Sequence, residues 1–237
     1  MPSPRRERHH LPTGPHLTTT PGTTTIRSNP LQHPAPTPGP PAKPRRRHLT
    51  PHSLAFYLDV ITSGTVLGAK PTHTPEEVTA ILGPDFTESS VYADSMWHDY
   101  GLVEFFWHRQ SPDHPWEGHH FTVQVHRLAS GATGTVPTAI SARYGRFDRH
   151  LRLHQLQRLL AHRRTVLEEV PDSNAPEYTL HWQPTSHVSL LTYRTRETWA
   201  RRGRPARGDN RHLGDVQKIS SSMPPEQVAW HRSRYGP

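Results

Sequence analysis

Between Tyr92 and His126 the chain holds its densest set of side chains able to move protons or hold a metal. His120, Thr122, Gln124 and His126 alternate, so a strand over His119 to Leu128 turns all four outward, and His108 points the same way on the preceding strand. Two or three of the imidazoles at His108, His120 and His126 could then converge at zinc-binding distance. Asp94, Asp99, Glu104, Asp113 and Glu117 surround the same hairpin and could pair with His98 or His108 as acid and base. Against this stand the 20 histidines of the chain and its abundance of Arg, Pro and Thr, a codon signature of a GC-rich genome that lowers the meaning of any one imidazole. No H-E-x-x-H helix, G-x-S-x-G elbow, phosphate-binding loop or dinucleotide glycine pattern accompanies them. We therefore assign no catalytic residue, cofactor or metal site from the sequence.

The same stretch offers a non-catalytic use. Tyr92, Phe106 and Trp116 beside Asp99, Glu104, Asp113 and Glu117 form an aromatic and acidic set suited to a basic protein partner, since aromatic anchors supply affinity and carboxylates supply steering. Trp97 is expected in the core, while Glu104, Phe106 and His108 face away from the inward Val103, Phe105 and Trp107.

Charge is distributed in keeping with that set. Residues 1–47 carry eight Lys or Arg against one acidic residue and residues 200–237 eight against three, whereas residues 48–199 carry twelve against sixteen. An acidic middle lies between two basic arms, so the sequence pI of 10.3 describes the arms. Those arms could bind nucleic acid nonspecifically through phosphates, without a recognition helix or stacking platform. The chain has no cysteine, hence no disulfide and no thiolate chemistry. No run approaches the ~18 apolar residues of a membrane span, and the Arg pair in SPRRERHH lacks a following apolar region. A cytoplasmic protein that does not engage membrane is expected.

The elements that position these residues begin near Thr50. Residues 1–47, rich in proline, threonine and arginine, read as a disordered arm. Leu54, Tyr57, Leu58 and Ile61 recur at helical spacing until Ser63-Gly64. In HTPEEVTAILGPD, Thr74 is an N-cap, Pro75 the first helical residue, Glu77 completes a capping box and Gly83-Pro84 ends the helix. A hairpin follows, with Val103, Phe105, Trp107, Phe121, Val123 and Val125 inward. Ala139 to Tyr144 reads as a short strand, Leu151 to Val166 as a helix, Glu168 to Asp172 as an acidic turn, and Glu177 to Trp182 and Val188 to Tyr193 as strands. Residues 200–213 read as a flexible loop, GDVQKISS as an edge strand and 221–237 as a fraying tail. The fold class is α+β: one domain over residues 48–220, an antiparallel sheet with two to three helices on one face.

The run GTVLGAKPTHTPEEVTAILGPDF resembles the helix motif of outer-membrane lipoprotein domains of the BamE type. With the following W-x-D-Y-G-L-V-E-F it is also similar to small actinobacterial proteins associated with immunity to polymorphic toxins. The resemblance covers about residues 54–128, with echoes at WQPTSHVSLL and GDVQKIS, and brings no catalytic residues. It implies a binding protein that masks a cationic toxin domain; the lipobox cysteine of the lipoproteins is missing, so a membrane anchor is not implied.

Overall fold

The computed structural model describes residues 52–194 and 212–236. The expected arm 1–47 and most of the expected loop 200–213 lie outside the described residues. Helix α1 (His52–Ser63) buries Phe56, Tyr57, Val60 and Ile61 and stops at Gly64, whose φ of +68° suits glycine and where a Cβ would meet the Ser186 carbonyl oxygen at 2.9 Å. Helix α2 (Pro75–Leu82) starts as its sequence requires: Thr74 accepts from the Glu77 amide, and the Glu77 carboxylate accepts from the Thr74 amide at 2.8 Å.

Four strands follow, β1 (Thr87–Ser89), β2 (Ser95–Asp99), β3 (Val103–His108) and β4 (Glu117–Val123), then a 3-10 helix (Val125–Ser130) and helices α3 (Thr138–Tyr144) and α4 (Leu153–His162). Four more strands, β5 (Glu168–Val170), β6 (Tyr178–Gln183), β7 (Val188–Tyr193) and β8 (Val216–Ser220), precede a last helix, α5 (Pro225–Tyr235). All eight strands form one antiparallel sheet in the order β1-β2-β3-β4-β8-β7-β6-β5, which is two meanders joined edge to edge at Thr122↔Ser220 and Val123↔Ile219. Two helices followed by four strands occur twice, although the residues of the halves do not align.

Period-2 alternation decides which side chains enter the core. Val103, Phe105 and Trp107 of β3, Phe121 and Val123 of β4, Val188 and Leu190 of β7 and Ile219 of β8 share one face, and all are buried against α1 to α4. Each contributes about 1.5–3 kcal/mol relative to an exposed side chain. The opposite face is treated unevenly. Over β5 and β6 it is closed by α5: Val170, Leu180, Trp182, Met223 and Val228 form a second, smaller core, and the Trp182 indole donates to the Met223 carbonyl at 2.9 Å.

The α+β class with an antiparallel sheet is observed; several elements differ from their sequence reading. Helices α1 to α4, not two or three, share the main face. Residues 138–144 are a helix, not the short strand expected: Ile140 and Tyr144, four apart, suit one face of either element, and here they are buried together on one face of α3. The acidic turn contains strand β5, whose one inward residue, Val170, pairs with Leu180. GDVQKISS is no edge strand: β8 is the central strand, paired on both sides. The tail holds α5, with prolines at its start, Glu226 in its first turn, Arg232 and Arg234 in its last, and Val228 buried.

Candidate partner-binding site

The strand expected over His119 to Leu128 ends at Val123, and the chain then coils into the 3-10 helix, which takes His126 off the sheet. Among the described residues no three His, Asp or Glu side chains stand close enough to share an ion, so His108, His120 and His126 do not converge. The carboxylates are also dispersed. Asp94 faces Arg109 at 3.8 Å. The Arg127 Nη1 donates to both oxygens of Asp99, at 2.8 and 3.0 Å, and to the Gly101 carbonyl at 2.7 Å, while its Nη2 donates to Glu104. Thr122 Oγ1 donates to the other oxygen of Glu104 at 2.9 Å, and Gln124 reaches the same atom. Glu104 is only 6% exposed. Asp99 and Glu104 thus share one guanidinium, and Glu104 cannot belong to a surface patch.

The acid–base expectation fails on position. His98 lies on the core face, stacked on Phe86 at 3.8 Å and bonded through Nε2 to Glu88 at 3.3 Å; burial holds its pKa below the usual imidazole value. His108 and Glu117 are directly opposed across β3 and β4 and both exposed, but neither lines a cleft among those described.

What the structure does bring together is a row of rings on the sheet face that α5 leaves uncovered. Trp97 on β2, Phe106 on β3 and His120 on β4 are register partners. Trp97 and Phe106 lie 6.1 Å apart at 23°, Phe106 and His120 4.2 Å apart at 3°. All three are only partly buried. Trp97 is therefore not the core residue expected: the alternation of β2 sends Met96 and His98 inward and Trp97 and Asp99 to the other side. A β-bulge in β4 shapes the end of the row. Phe106 pairs with His120 and Trp107 with Gly118, which leaves His119 as the extra residue. Its Nδ1 then meets the His120 Nδ1 at 2.6 Å. Burial, His119 and Lys218 together push the His120 pKa down to about 4, so the ring is neutral at pH 7.

The row runs toward a rim of two loops. Arg109 Nη2 donates to the Ala93 carbonyl at 2.8 Å and Nη1 to that of Pro112 at 3.3 Å, and its guanidinium lies 4.2 Å over the Trp116 ring. One arginine therefore ties the β1–β2 loop to the β3–β4 loop. It gathers Tyr92, 74% exposed, with the exposed Asp113 and Glu117 and the half-buried Trp116 at one end of the sheet. Glu104, four residues of strand or about 13 Å from the His108 rung, belongs to the other end with Asp99. The expected patch thus divides: Phe106 is partly exposed on the open face, Tyr92, Asp113 and Glu117 are exposed at its loop end, and Trp116 packs partly against the main core. Asp99 and Glu104, on the same face as Phe106 but toward the other end, are held by Arg127. Sequence reasoning missed Trp97, His120 and Arg127 in these roles. The period-2 signal for Trp97 is present in Met96 to Asp99; nothing local marks Arg127, whose partners lie 23 to 28 positions away.

Comparison with known proteins adds nothing to this geometry: no family model, curated protein or solved structure matches the chain. Among the described residues no helix is long and apolar enough to cross a membrane.

Proposed function

We propose that the protein is a non-enzymatic, cytoplasmic binding module that recognises a protein partner through the uncovered face of β2 to β4 and its loop rim. The observation that carries this reading is the partly exposed row Trp97, Phe106 and His120 on a face whose other half is closed by α5. Rings of this size bury large areas on association at low entropic cost, and Asp113 and Glu117 at the rim favour a partner with basic groups around an apolar centre. A cationic toxin domain, masked by an immunity protein, has that chemistry. A protein suits the row better than a nucleic acid, because the rings lie against one another and present edges, whereas a base needs an open face to stack on. Immobilised full-length protein should retain a binding protein from lysate of the cells that express it. Phe106→Asp should abolish that retention and Trp230→Ala, on the far helix, should preserve it. The same proteins retained by all three, or by none, would remove the proposal.

A further inference from the structure

Two of the clefts among the described residues differ in how their charges are met. The larger, about 450 Å³, is lined by Asp59, Arg143 and Tyr144. Its carboxylate is already engaged, accepting from the Tyr144 hydroxyl at 2.9 Å and from Arg163 at 3.1 Å. The smaller, about 300 Å³, lies between the loop after the 3-10 helix and the segment after α3, and is lined by Leu128, Val136, Phe147, Arg146 and Arg149 with the loop backbone. Here neither arginine has a carboxylate partner among the described residues, and Asp148, between them in sequence, pairs with neither. Gly131, at φ +68°, lets the Arg149 guanidinium lie close against the loop: a Cβ there would meet its Nη2 at 2.9 Å and push the side chain aside. Gly134 and Thr135 line the same cleft, and their amides donate to no acceptor among the described residues.

We infer that this cleft binds a small oxyanion carried on an apolar body. Both arginines are exposed and line one cleft without a carboxylate partner among the described residues, and their planar forks match the paired oxygens of a carboxylate or phosphate. Loop amides without acceptors add donors of the kind that cradle anions. Leu128, Val136 and Phe147 would cover the apolar part, which free phosphate lacks. Neither arginine supports the fold through an ion pair, so their positions are free to serve a ligand.

Isothermal titration of the full-length protein with phenyl phosphate, inorganic phosphate and phenol tests this directly. Phenyl phosphate should saturate one site, at least about tenfold more tightly than either fragment. The Arg146→Ala, Arg149→Ala double variant should weaken it by about tenfold or more, and Arg158→Ala, which removes an equal charge from α4 away from the cleft, should leave it unchanged. Arg146→Gln and Arg149→Gln, tested singly, serve the same purpose if the double variant does not fold. The inference is overturned by the absence of saturable heat up to about 10 mM, by equal binding of inorganic phosphate, or by an equal loss in Arg158→Ala.

Discussion

The two meanders of the sheet each place a tryptophan on the same face of their second strand and treat it in opposite ways. Trp182 on β6 is 6% exposed, closed under Met223 and α5, with its indole nitrogen satisfied. Trp97 on β2 is partly exposed and stacked on its neighbour Phe106. A helix that follows β8 covers one half; the chain that follows β4 turns into a 3-10 helix and leaves the other half without a cover among the described residues. Folded chains bury the apolar surface that stability requires, so an aromatic row left outside the core is more readily explained by recognition than by folding.

The largest effects should fall on the covered half. Trp182→Ala removes a packed ring and a buried hydrogen bond, and should cost about 3–5 kcal/mol in urea unfolding. Trp97→Ala should cost about 1–2 kcal/mol less than that, because part of its ring stays in water and no buried hydrogen bond is lost with it. Equal losses would break the comparison. Arg127→Met comes next: it leaves Glu104 buried without its cation and should destabilise by about 3 kcal/mol. Adding Glu104→Gln should recover part of that loss, since a neutral amide no longer needs the guanidinium.

A smaller, pH-dependent effect spans both halves. His98, His120 and His181 are all held below the ordinary imidazole pKa, in each case first by burial. The unfolded chain therefore takes up protons first as pH falls below about 6.5. Their contribution is complete above that value and is lost progressively toward about 4, the value to which His120 is pushed. Urea midpoints should decline over that window, and His120→Asn should flatten the decline; a midpoint rising as pH falls would contradict these assignments.

Most of the main face is legible in the residues. Caps define the Thr74 to Gly83 helix, and alternation defines the inward set Val103, Phe105, Trp107, Phe121 and Val123. What escapes is whatever depends on distant partners. Residues 138–144 carry apolar side chains compatible with either period, and burial against α1 decides for helix. Strand β8 has the short, polar look of an edge, and is central only because it pairs with both β4 and β7. Spacing cannot match Arg127 to Asp99 and Glu104, so a buried ion network looks from the sequence like part of a surface patch. Tyr92, Asp113 and Glu117 are exposed and Phe106 points away from the main core, because outward alternation and loop position are local properties.

Oxidative footprinting of the tryptophans tests the uncovered face most directly, since Trp97, Trp182 and Trp230 report together from one sample. In the free protein Trp97 should be modified far faster than Trp182, and Trp230, 53% exposed, should be modified fast as well. With the retained partner bound, Trp97 should become protected while Trp230 does not change. A Trp97 as slow as Trp182 in the free protein, or one that the partner leaves unprotected, would contradict the account.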